Sequence, residues 1–280
     1  MADQDPFQIS HIVPDFQAQF DDYKASSNAT RRTLRNRLDI PYGDAPRQRL
    51  DLFFPPGEAD GLPIHMFIHG GYWRAQVRED YAFVADGVTA AGAIAAIVEY
   101  TLMPGARMAD LVRETREAAA WLAANAVSFG GEGAKLSASG HSAGGHLVTY
   151  LASRSPHEKD FPLTPVRAVI PISGIYDLRP ITTSYLQPEL HLTPEEVAHW
   201  SPIEAVPSPA THYEIVVGHD ETAPFHQQAQ DYAYVLERHG ASHERITLHG
   251  EEHMSVVRKL GHVGSPMWEL LRDAIERSRG

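Results

Sequence analysis

The feature that most constrains this chain is an alternation of short apolar runs with segments of helical periodicity. The apolar runs fall at residues 64–68, 93–98, 136–139, 166–172, 213–217 and 245–248. Helical patterns lie among them at 79–91, 108–126, 143–153, 225–239 and 266–277. In the second of these, Leu111, Thr115, Ala118, Trp121 and Leu122 recur at the spacing one buried helix face requires. Strands that are apolar throughout are buried on both sides, and intervening helices supply the cover. The pattern predicts an α/β fold with a mostly parallel central sheet and helices on both faces.

Ahead of the alternation, Arg49-Leu50-Asp51-Leu52-Phe53-Phe54 reads as a half-buried strand, ended by Pro55-Pro56-Gly57. Residues 1–48 read as a polar N-terminal extension with helices expected at 15–24 and 28–38. Residues 175–210 hold six prolines and little periodicity. So long an irregular stretch in a compact domain is commonly functional, which makes a lid-like insertion the expectation. A length of 280 residues then fits one domain, 1–280.

The charge balance narrows the partners. Twenty-four basic against 36 acidic residues give −12, which disfavours binding to nucleic acid or to an anionic membrane. The chain has no Cys, so disulfides and thiol catalysis are excluded. Its longest apolar stretch, 90–98, is far shorter than the ~20 residues of a membrane helix. The acidic start Met1-Ala2-Asp3-Gln4-Asp5 is not a secretory signal. The expectation is a cytoplasmic protein acting on a small molecule. A homodimer is expected only because it is the commonest closed assembly.

Gly140-His141-Ser142-Ala143-Gly144 sits between a predicted strand and a predicted helix. In that setting a Ser on a sharp turn projects its hydroxyl above the sheet, and the flanking glycines permit the bend. The helix N-terminus behind it favours developing negative charge. Upstream, His69-Gly70-Gly71-Tyr72-Trp73 follows the strand at 64–68. A glycine pair there can turn N–H groups toward an oxyanion, with Gly71 and Tyr72 as donors and Gly70 shaping the turn. The amide of Ala143, next after the nucleophile, is the companion donor.

A Ser nucleophile needs a base and an orienting acid, in the chain order Ser, acid, His. His253, in the loop after the last strand, is the expected base, and His249 is its rival nearer the strand end. The acid is Asp220 or Glu221, adjacent at the end of the strand at 213–217, and spacing does not choose between them. For substrate contacts, Tyr72, Trp73, Tyr176, Tyr185 and Trp200 can form an aromatic slot, with Trp73 foremost. Arg74 or Arg179 can pair with a substrate carboxylate. This chemistry needs no metal or cofactor, and the histidines lack ligand spacing.

These residues resemble the kynurenine formamidase (arylformamidase) family of α/β-hydrolases. The resemblance is carried by His69-Gly70-Gly71-Tyr72-Trp73, by Gly140-His141-Ser142-Ala143-Gly144-Gly145-His146-Leu147 and by the downstream acid and His. Ile40-Pro41-Tyr42-Gly43, Leu50-Asp51-Leu52-Phe53, Glu99-Tyr100-Thr101-Leu102 and Phe225-His226-Gln227-Gln228 support it. Tyr72 departs from the many esterases that carry a third Gly at that point. The resemblance implies an α/β-hydrolase fold and hydrolysis of N-formyl-L-kynurenine to formate and kynurenine through an acyl-serine. Counting back from Phe225 in the family pattern favours Glu221, whereas matching Gly218-His219-Asp220 favours Asp220. A carboxylesterase or other aryl amidase is the alternative on the same machinery, and a non-catalytic ligand binder is the remote one.

Overall fold

Eight strands form one sheet in the computed structural model, which describes residues 5–57, 60–158 and 163–280. The strands are β1 (Arg35–Pro41), β2 (Arg49–Phe54), β3 (Leu62–Ile68), β4 (Ile94–Val98), β5 (Gly131–His141), β6 (Ala168–Ile172), β7 (His212–Gly218) and β8 (His243–Leu248). Their spatial order is β1-β2-β4-β3-β5-β6-β7-β8. The pairs β1–β2 and β2–β4 are antiparallel, and every other neighbouring pair is parallel. This is the α/β-hydrolase fold. The strands β4 and β6 are buried at every residue, which is why they read as continuous apolar runs.

The main helices are α1 (Phe16–Thr33), α2 (Val84–Ala90), α3 (Met108–Asn125), α4 (Ala143–Thr149), α5 (Ala223–Arg238) and α6 (Pro266–Arg279). The helices α2 and α6 pack on each other and on the sheet, and α3 packs on α4. Leu111, Thr115, Ala118 and Leu122 of α3 are all buried, whereas Trp121 is only half-buried. None of the helices is long and apolar enough to cross a membrane among the described residues.

The N-terminal region differs from its sequence reading. One helix, Phe16–Thr33, replaces the two expected, and residues 35–41 are an edge strand of the main sheet. The strand is mostly exposed, so its sequence Arg35-Asn36-Arg37-Leu38-Asp39-Ile40-Pro41 carries no apolar alternation to announce it. A buried ionic cluster attaches this region to the sheet instead. Asp51 on β2 is fully buried, accepts from the Asp39 N–H at 2.8 Å and from Arg78 Nε at 3.1 Å, and pairs with Arg31 of α1. Residues 175–210 add no strand to the main sheet. They form short helical turns and one two-residue strand, Val206–Pro207, paired with Ser153–Arg154.

Parallel pairing brings the ends of the central strands to one edge of the sheet. Ile68 is in register with Gly140, His141 with Ile172, Ile172 with Val216, and Gly218 with Leu248. The turns that follow β3, β5, β7 and β8 therefore emerge side by side, where ligands of open α/β sheets bind.

Removing one partner from a buried ion pair leaves the other charge uncompensated. Asp51→Asn is expected to lower the unfolding free energy by about 3 kcal/mol. The measurement is the urea midpoint at unchanged m-value; a midpoint at the wild-type position would mean that Arg31 and Arg78 are solvated without Asp51.

Candidate active site

Ser142 links β5 to α4 with φ 55° and ψ −117°, a backbone region that costs a non-glycine residue strain. Close packing enforces the bend. A Cβ on Gly140 would lie 2.1 Å from the Gly144 carbonyl oxygen, and one on Gly144 would lie 2.1 Å from the Ile68 carbonyl oxygen. Helix α4 therefore sits directly against the end of β3, with Ala143 at its first position. The Ala143 N–H is one of the first-turn donors that no intrahelical carbonyl can satisfy.

The turn after β3 is held from behind. His69 Nε2 lies 2.8 Å from Glu99 Oε1, while Arg47 Nη2 donates to the same oxygen at 2.7 Å and the Arg78 amide to Oε2 at 3.1 Å. Burial pushes the Glu99 carboxyl up, but His69 and Arg47 outweigh it and hold the group below its ordinary value. The ring of Tyr100 stacks on His69 at 4.6 Å, and its hydroxyl donates to the His69 carbonyl at 3.1 Å. From this base the chain runs through three consecutive positive φ angles, Gly71 at 101°, Tyr72 at 48° and Trp73 at 59°. The amides of Gly71 and Tyr72 donate to no acceptor among the described residues. Gly70 passes so close to the elbow that its Cβ would lie 3.1 Å from Ser142 Cβ.

His253 and Glu221 come from the last two turns. His253 Nδ1 lies 2.7 Å from Glu221 Oε2, and both side chains are almost fully buried. Glu221 Oε1 is occupied by the Gly218 amide at 2.8 Å and by the Ser173 hydroxyl, so Oε2 is the oxygen left for the imidazole. A carboxylate on Nδ1 places the proton there and leaves Nε2 as the basic nitrogen. The His253 ring packs between Phe225 at 4.5 Å and His141 at 4.7 Å. Tyr23 of α1 donates its hydroxyl to the Met254 carbonyl and ties down the same loop.

Asp220 lies elsewhere. Its carboxylate is 59% exposed and pairs with His219 at 2.8 Å, because adjacent residues on this turn point to opposite sides. His249 is exposed and packs on His219 at 4.7 Å, outside the cavity that Ser142 lines.

Ser142 and His253 open into one cavity of about 180 Å³, lined also by His141, Gly71, Tyr72, Arg74, Gln76, Tyr185 and Met254. Four of the substrate contacts expected from the sequence, Trp73, Tyr176, Trp200 and Arg179, do not line it and need correction. Trp73 is fully buried beside the cavity and donates Nε1 to His146 Nδ1 at 3.3 Å. Tyr176 is fully buried against Tyr232, with ring centroids 4.5 Å apart. Both belong to the core because their positions in the turns face inward. Arg179 pairs with Asp177 at 2.8 Å on the surface. Arg74 does line the cavity; its Nη1 pairs with Glu189 at 2.7 Å, and its buried Nε has no hydrogen-bond partner among the described residues.

The cover over this cavity comes mainly from the N-terminal residues. Ile9, Ser10 and Phe16 line it, whereas residues 175–210 contribute Tyr185. Tyr72 donates its hydroxyl to the Phe7 carbonyl at 2.6 Å, and Asp5 accepts from the Tyr185 amide at 2.6 Å. Sequence reasoning misses this strap. Its signal is present as Phe7, Ile9, Val13 and Phe16, apolar residues spaced within a polar stretch.

Comparison with known proteins finds hydrolases. Kynurenine formamidase of Danio rerio is 26% identical over 91% of this chain and 87% of its own. An isoprenylcysteine alpha-carbonyl methylesterase of Arabidopsis thaliana is 28% identical over 51% of this chain and 35% of its own. A solved structure from Silicibacter sp. tm1040, described as a thioesterase, superposes with a TM-score of 0.81 at 25% identity, covering 94% of this chain and 96% of that one. Residues 50–234 match the BD-FAE family, a span that holds the Gly140–Gly144 turn, the His69–Trp73 turn and Glu221. The chain is thus a member of the BD-FAE family of α/β-hydrolases, with the hydrolase relatives of an esterase or amidase.

Proposed function

We propose that this chain is a serine hydrolase that cleaves an aryl formamide, such as N-formyl-L-kynurenine, to formate and the aryl amine. The observation that carries the catalytic reading is the contact of His253 Nδ1 with Glu221 in the cavity that Ser142 also lines. The likeness to kynurenine formamidases supports the substrate class.

In the proposed mechanism, Ser142 Oγ attacks the formyl carbon while His253 Nε2 takes its proton. Glu221 holds the imidazole in the required tautomer and stabilises the imidazolium. The amides of Gly71, Tyr72 and Ala143 receive the charge on the former carbonyl oxygen. His253 then protonates the departing aryl amine, and water releases formate from the acyl-serine. An aryl amine is a better leaving group than an alkyl amine, so ester-type machinery suffices. The buried Arg74 Nε, on the cavity wall and without a partner among the described residues, is suited to a substrate carboxylate. A carboxylesterase on the same residues is the second reading, favoured by the methylesterase relative.

The deciding measurement is kcat/KM for N-formyl-L-kynurenine beside p-nitrophenyl acetate, with Ser142→Ala as control. A value above ~10⁴ M⁻¹s⁻¹ on the formamide is expected. Rapid ester turnover with an inert formamide would leave the esterase reading. The acid is tested by a pair of variants: Glu221→Gln should lower kcat by roughly 10³-fold or more, because the imidazole loses its orienting charge. Asp220→Asn should stay close to wild type. The reverse order would move the acid to Asp220. Arg74→Ala should raise KM for the carboxylate-bearing formamide about tenfold relative to a neutral aryl ester, the loss of one charge-assisted hydrogen bond. Equal effects on both substrates would remove Arg74 from carboxylate recognition.

A further inference from the structure

His141, the residue before the nucleophile, has a polar atom that the mechanism above leaves unused. The side chain is 2% exposed, lines the cavity, and its Nδ1 has no hydrogen-bond partner among the described residues. Its other nitrogen is committed: Nε2 lies 2.8 Å from the His253 carbonyl oxygen, an acceptor only, so Nε2 carries the proton. Burial, and then the neighbouring His253, hold the imidazole well below its ordinary value, so it is neutral at pH 7. Nδ1 is therefore a fixed, bare acceptor. Gly70 packs against both His141 and the nucleophile, since a Cβ there would lie 3.3 Å from His141 Nδ1 and 3.1 Å from Ser142 Cβ, and both residues line the same cavity. An unpaired buried acceptor costs about 1–3 kcal/mol, which a ligand N–H would recover.

We propose that His141 Nδ1 accepts the N–H of the scissile amide and makes this site prefer amides to esters. The proposal rests on the amide-cleaving reading above and names the residue that would give it selectivity. When Ser142 Oγ adds to the carbonyl carbon, the π pair moves to oxygen and the nitrogen becomes pyramidal. His253 must deliver its proton to the nitrogen lone pair, so that lone pair faces His253 and the N–H turns away. An acceptor placed for the turned N–H stabilises this arrangement before the C–N bond breaks. The aryl amine then leaves with the proton from His253, and His141 neither gains nor loses one. The bridging oxygen of an ester has no hydrogen to offer and meets Nδ1 lone pair to lone pair.

The experiment compares formanilide, phenyl formate and N-methylformanilide, which share the formyl group and differ in the atom and hydrogen beside it. His141→Gln keeps an amide nitrogen in reach of the His253 carbonyl and removes the acceptor at Nδ1. His141→Asn keeps an oxygen near Nδ1 and gives up the contact with the His253 carbonyl. The expected result is that His141→Gln lowers the ratio of kcat/KM for formanilide to that for phenyl formate about tenfold, the worth of one hydrogen bond. It should leave the ratio of N-methylformanilide to phenyl formate unchanged, and His141→Asn should keep the wild-type formanilide ratio at a lower overall rate. Equal losses on formanilide and phenyl formate in His141→Gln would overturn the proposal, reducing His141 to a support for the His253 loop, with the formamidase reading intact. A wild-type enzyme that cleaves phenyl formate and not formanilide would overturn both.

Discussion

The close approach of helix α4 to the ends of β3 and β5 is the constraint on which the site depends. The backbone of Gly144 lies against the carbonyls of Ile68 and His69, and Gly140 lies against Gly144 itself. Neither position has room for a side chain. That contact holds Ser142 in its strained conformation and fixes the first residue of α4 beside Gly70. A looser helix would relax the serine into an ordinary turn and retract that residue with it. Packing of the core, more than any hydrogen bond to Ser142, is what aims this hydroxyl.

The second wall of the site is fixed by charge instead. Glu99, at the end of β4, gathers His69, Arg47 and two backbone amides around one buried carboxylate. Three successive positive φ angles are then possible in Gly71, Tyr72 and Trp73, because both ends of the turn are anchored. Trp73 provides the far anchor through its buried ring and its Nε1–H to His146. This is why Trp73 is structural here although its place in the motif suggests a ligand contact.

The parts of the fold legible in the sequence are those buried on both sides. Strands β3 to β7 announce themselves by apolar runs, and the Gly140–Gly144 turn by glycines that only a sharp bend requires, whereas β8 is read from the run at 245–248 although none of its residues is buried. The edge strand β1 is illegible because solvent covers it and leaves its side chains unconstrained. The choice between Asp220 and Glu221 is illegible for another reason. Both are carboxylates at one strand end, and the difference lies in a turn that sends Asp220 outward to His219 and Glu221 inward to Ser173 and Gly218. The covering strap at residues 5–16 is hidden by distance, since its contacts with Tyr185 and Thr222 span about two hundred positions of chain.

The family match, residues 50–234, ends before His253 and begins after the strap. The shared core thus supplies the serine, the anchored turn and the carboxylate, while flanking segments bring the imidazole and the cover. The imidazole is integrated through backbone contacts: His141 Nε2 reaches the His253 carbonyl, and Tyr23 reaches that of Met254. Electrostatics make the first of these contacts more than a strut. A histidinium at His141, 4.7 Å from His253, would oppose the positive charge that the proposed mechanism develops on His253. Burial keeps His141 neutral, so the formal charge that the His253 ring meets is the carboxylate of Glu221. Burial thereby keeps a second positive charge away from the ring to which the proposed mechanism assigns the proton.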